Sequence, residues 1–108
     1  MKELPVLYSK TQLHQITDEA MIYMCACPAQ VAKEILALRD LYQYQQGCIS
    51  QGPLMAQVHA RIAEATRAAH AELERCLDQV LDMEGWDKTT LTMPAGLRQL
   101  RDDLIKKD

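Results

Sequence analysis

Two thiols stand one residue apart, at Cys25 and Cys27, with Met21 and Met24 just ahead of them and Pro28 just behind. Thiolates and thioethers are soft donors, so the cluster would suit Cu(I) or Zn(II). Cys76 or His70 would complete such a site from elsewhere in the fold. The metal-ligand set read from the sequence is Cys25, Cys27, Cys76 and Met24. Two arguments oppose it. A zinc site usually shows two C-x-x-C or C-x-x-H pairs, and neither occurs. Residues two apart on a helix also point about 200° apart, so both thiols reach one ion only where the helix is broken. Pro28 would supply that break. A thiol-redox role needs Cys25 at a helix N-terminus, where a thiolate is stabilised. A lone Cys-Pro is a weak signal for haem ligation. The plainer expectation is that Cys27 and Cys76 are small core residues, because Cys is among the most buried residue types. No cofactor is then required.

Other candidate chemistry is thinner. Cys48 sits in a turn and is expected to be exposed. His59 and His70 share a helical face but stand about 16 Å apart, too far for one ion. All three histidines, His14 included, are expected at the wet edge of an apolar stripe. Glu74, Asp78 and Asp82 form an i, i+4, i+8 ridge, expected as a solvated face. Trp86 is expected to anchor a C-terminal helix over the end of a hairpin. There is no Gly-rich phosphate loop and no nucleophile elbow. A DNA-reading helix would need a basic face, and residues 28–46 offer only Lys33 and Arg39.

The elements that must position these residues read as helices. Residues 1–8 form an irregular leader. Ser9-Lys10-Thr11-Gln12 has the form of a capping box, and Thr17-Asp18-Glu19 offers a second start. Residues 9–46 are one helix or two helices split at Pro28, which either kinks a continuous helix or opens a new one. Val31, Ile35, Leu38, Tyr42 and Gln45 make one stripe, and Gly47 is a C-terminal stop. Pro53 opens a long helix over 53–83. Along it Met55, Val58, Ile62, Ala65, Ala69, Leu73, Cys76, Val80 and Met83 follow a three-four spacing with one slip near Leu73. Arg61, Glu64, Arg67, Glu72 and Glu74 supply its wet faces. Gly85 to Thr90 is a loop, and 94–106 is a short amphipathic helix carrying Leu97, Leu100 and Leu104. Strand signals are nearly absent.

Length favours a continuous, kinked helix from Thr17 to Gln46, about 45 Å long, matching its partner across the short turn at 47–52. A simple hairpin then sets Cys27 opposite Glu72 and Leu73 and brings it towards Cys76. The expected fold is an all-α antiparallel helical bundle, built on this long hairpin, kinked or broken at Pro28, plus the short C-terminal helix.

Composition bounds the function. A chain of 108 residues, 48% hydrophobic and 25% charged, fits a single globular domain. There is no Phe, so the core rests on aliphatic residues and Met. A net charge of −3, with basic and acidic residues interleaved, gives no pull towards nucleic acid or anionic lipid. The longest apolar run, Ala20 to Ala29, is about half a membrane span. No signal peptide opens the chain, so a cytoplasmic setting with reduced cysteines is expected. Two long helices and a short third cannot cover both faces of a 45 Å hairpin, and an uncovered apolar stripe usually means a partner. The expectation is a non-enzymatic interaction protein, acting as a homo-oligomer or docked on a protein partner through Leu36, Leu41 and Tyr44. The alternative is a soft-metal or thiol-redox module at Cys25 and Cys27. No stretch carries a recognisable family signature.

Overall fold

In the computed structural model of the chain, residues 3–22, 26–47, 52–94 and 96 are described. Three helices follow one another: α1 (Lys10–Ala20), α2 (Cys27–Gly47) and α3 (Pro53–Glu84). Among the described residues there is no strand, only an isolated bridge between Asp87 and Thr92. The expected C-terminal helix lies outside the described residues except at Pro94 and Gly96.

The start of α1 follows the capping-box signal. Ser9 Oγ accepts from the Gln12 N–H at 3.0 Å, and the Gln12 side chain accepts from the Ser9 N–H at 2.8 Å. Two otherwise orphaned donors are thereby satisfied. The helix ends at Met21, whose N–H closes on Thr17.

The continuous helix from Thr17 to Gln46 is not what forms. α1 stops at Ala20 and α2 starts afresh at Cys27, with Pro28 as its second residue. There the missing proline N–H costs no hydrogen bond, and the fixed φ suits a first turn. Splitting the segment lets α1 fold back and bury Leu13, Ile16 and Ala20.

α2 packs on both α1 and α3. Gln45 Oε1 meets His59 Nδ1 at 2.6 Å near the link, and Arg39, further back on α2, reaches His70 and Glu74, further along α3. The two helices therefore run antiparallel. Their register is shifted from that of a simple hairpin, which would set Gln45 opposite Leu54.

α3 ends at Gly85, which takes a left-handed φ of 76°. The N–H groups of Gly85 and Trp86 close on Asp82 and Leu81 at 3.1 and 2.9 Å. This is the geometry in which glycine stops a helix. Beyond it the chain turns back on Asp87, whose Oδ1 accepts from the N–H groups of Thr89 and Thr90. The turn delivers Trp86, Leu91 and Met93 into a cluster with Tyr8, Leu13, Ile16, Ala29, Ala32, Ile35, Leu77 and Leu81. Trp86 is buried in this cluster and anchors the 86–93 turn; the C-terminal helix it was expected to anchor lies outside the described residues. The cluster lies at the end of the α2–α3 pair remote from its link. The molecule is long, 61 × 28 × 19 Å, and its core fills one end.

Candidate functional site

Two features of α3 differ from a plain amphipathic helix, and both bear on function. The first is its roll. The buried line is Ala63, Thr66, His70, Glu74, Leu77 and Leu81. Each apolar-stripe residue from Ile62 to Val80 comes one position before a buried one. One residue is about 100° of rotation, so the stripe lies on the flank of α3 rather than against α2. Met55, Val58, Ala65, Ala69 and Met83 are exposed, while Ile62, Leu73, Cys76 and Val80 are half-buried.

On α2, Leu41 is exposed and comes just before buried Tyr42, as Ile62 comes before Ala63. Antiparallel helices rotated in the same sense from their shared seam present those residues on one side of the pair. Leu41 and Tyr44 therefore share a side with the α3 stripe. The other side is taken. There Leu4 and Val6 line a cleft of about 280 Å³ with Arg39, Tyr42, Gln43 and Gln46. Of the three expected contact residues, Leu41 and Tyr44 are exposed, at 40% and 66%. Leu36 is instead half-buried against the core cluster.

The second feature is a polar cluster where the seam of α3 is charged. Glu74 is 3% exposed, not solvated as its ridge suggested. Its Oε2 accepts from the N–H groups of Leu7 and Tyr8 at 2.7 and 3.1 Å, and from Arg39 Nη2 at 3.1 Å. Arg39 Nη2 also donates to the Tyr8 carbonyl at 2.6 Å. The Tyr8 hydroxyl donates to Asp78 Oδ1 at 2.6 Å. Lys88 bridges Asp78 and Asp82 at 3.0 and 2.9 Å. The acidic ridge thus holds the leader against α3 and receives the 86–93 turn.

His70, expected at a wet edge, is 1% exposed. Its Nε2 lies 3.0 Å from Arg39 Nε, which can only donate. The imidazole is therefore neutral, with its proton on Nδ1, 3.5 Å from Glu74 Oε1 and without a hydrogen-bond partner. Burial pushes its pKa below the ordinary 6.5, Glu74 pulling it up and Arg39 holding it down. Burial and the bond to Asp78 push the Tyr8 hydroxyl above its ordinary 10.0. That bond, and then Lys88, hold Asp78 below its ordinary 3.8.

The signs give a pH profile. Below about 6.5 the unfolded chain protonates His70 more readily than the folded one, so stability falls with falling pH. Above about 10 the unfolded chain ionises Tyr8 more readily, so stability falls with rising pH. Denaturant midpoints measured across this range should form a plateau with both shoulders. His70→Gln should remove the acid shoulder near pH 6 and leave the alkaline one; an unchanged acid shoulder would place its origin elsewhere.

Of the expected metal set, Cys25 and Met24 lie outside the described residues, as does Cys48. Cys27 is exposed at the first residue of α2, and Cys76 is half-buried on the α3 stripe; neither is in a disulfide. Among the described residues, no group of three or more His, Cys, Asp or Glu could hold a metal ion. None of the described helices is long and apolar enough to cross a membrane. Comparison with protein-family models, curated proteins and solved structures finds no match to this chain.

Proposed function

We propose that this chain is a helical interaction protein of the cytosol, which works by docking its α2–α3 pair onto another protein surface. The observation that carries this is the side of the pair that presents the α3 stripe with Leu41 and Tyr44. It is apolar for most of the length of α3, and the leader occupies the opposite side. Val58 and Met83 are 40% and 82% exposed. No Asp, Glu, Lys or Arg occurs from Leu41 to Ala60, in a chain that is 25% charged. An uncharged, apolar surface of this kind is what the centre of a protein–protein interface looks like, charges being depleted there. Scattered exposed apolar residues are ordinary, whereas a continuous stripe is not.

The test is photocrosslinking in cells that make the protein. A photoreactive residue at Val58 should give a discrete crosslinked band. One at Glu64, exposed on the far side of α3, should give none. No band from Val58, or equal bands from both positions, would sink the proposal.

A further inference from the structure

We infer that the partner of this surface is a second copy of the chain, laid antiparallel so that the two α3 helices cross-pack about Ala69. The inference rests on the docking surface proposed above and names its occupant. Three observations carry it.

The stripe is symmetric along its length. From Met55 to Met83 its steps run three, four, three, four, four, three, four, three, the same in both directions from Ala69. A twofold axis through Ala69 therefore sets Met55 against Met83 of the second copy, Val58 against Val80 and Ile62 against Cys76. Ala65 faces Leu73, which also packs on its own core cluster, and Ala69 faces its own copy. A twofold interface must be self-complementary in this way, residue i on j and j on i. An unrelated partner imposes no such symmetry.

The period is also right. Eight steps cover 28 residues, a mean of 3.5, which is the repeat of two helices supercoiled left-handedly. The seam would be about 42 Å long. Small residues at its centre let the helix axes approach closely.

Charge then selects the direction. With His neutral, residues 53–69 carry Arg61, Arg67 and Glu64, net +1. Residues 70–84 carry Arg75 against five acids; Arg39 on Glu74 and Lys88 on Asp78 and Asp82 reduce this half to net −2. An antiparallel pair lays the positive half of each helix along the negative half of the other. A parallel pair would stack the two acidic halves. The same arrangement brings Leu41 and Tyr44, which lie between the Gln45–His59 and Arg39–His70 contacts, towards Leu73 and Cys76 of the second copy.

The experiment uses the full chain under reducing conditions. Sedimentation equilibrium should give twice the 12.3 kDa chain mass. Ala69→Glu, at an exposed position and so not expected to disturb folding, should raise the dimer dissociation constant at least tenfold, with an unchanged circular-dichroism melt when compared as monomers. A photoreactive residue at position 58, in mixed light and heavy isotope-labelled protein, should crosslink between copies to residues around 80. Crosslinks from 58 to 58 would overturn the antiparallel pairing. A dimer indifferent to Ala69→Glu, with no crosslink through the stripe, would overturn both this pairing and the docking surface. A monomer at several hundred micromolar would overturn the second copy as occupant, while the crosslinked band from Val58 in cells would still report a different partner on the same surface.

Discussion

Glu74→Ala is expected to destabilise the fold by about 3–5 kcal/mol, the usual cost of removing one partner from a buried ion pair. The substitution strips the Leu7 and Tyr8 N–H groups of their shared acceptor. It also leaves the Arg39 guanidinium, whose side chain is only 18% exposed, without its carboxylate. Both losses fall on groups already taken out of water, where an unmade bond costs its full desolvation. Against a total stability of about 5–15 kcal/mol, that is a large share. The pairing itself is a separate quantity. Arg39→Met combined with Glu74→Leu should recover part of the loss, because no unpaired charge then remains, although the leader keeps its lost bonds. Denaturant unfolding of wild type, both single variants and the double variant gives the coupling. A Glu74→Ala cost below about 1 kcal/mol would mean that water already serves these groups.

Leu77→Ala is expected to cost about 2–5 kcal/mol, as for other fully buried leucines. Leu77 is 0% exposed in the core cluster, where it shares the buried side of α3 with Leu81. The informative control is Met55→Ala on the stripe. Measured on monomer, it should change stability by no more than about 0.5 kcal/mol, as surface substitutions do. The contrast tests the roll of α3 directly. A Met55→Ala cost as large as that of Leu77→Ala in the monomer would mean that the stripe is packed inside the fold as well, and would overturn the roll.

That roll was hidden in the sequence for a definite reason. Hydrophobic periodicity finds the apolar face of a helix, and on α3 that face is not the buried one. The buried line carries Thr66, His70 and Glu74, which pattern reading assigns to water. The clue available was the pairing of Glu74 with Arg39, one of only two basic residues on the helix expected to face it. By contrast, local signals were accurate. The Ser9 and Gln12 box began α1, Pro53 opened α3 and Gly85 stopped it. All-helical character, with no strand among the described residues, also followed from local pattern. The break between α1 and α2 is one of the two arrangements Pro28 allowed; helix length alone favours the continuous one, because it ignores the chance that α1 folds back to bury Leu13 and Ile16. The leader's attachment had no local signal at all, since its partners lie 31 to 70 residues away, Glu74 and Asp78 the farthest.

That separation has a consequence for the order of events as the chain folds. The bonds from Leu7 and Tyr8 to Glu74 close a loop containing most of the molecule. Closure entropy grows only as the logarithm of loop length, but it must be met before the contacts reward it. Helices α2 and α3 are joined by a short link and can zip from it at little cost. The N-terminal strap has no such guide and is expected to latch onto an α2–α3 pair that already stands. Tyr8 forms part of the roof of the hydrophobic cluster, so that roof closes last and opens first. Exchange of the Leu7 and Tyr8 amides with solvent deuterium, set against those of Leu77 and Leu81, would record the sequence. The clamp on Glu74 then acts as a latch in time as well as in space.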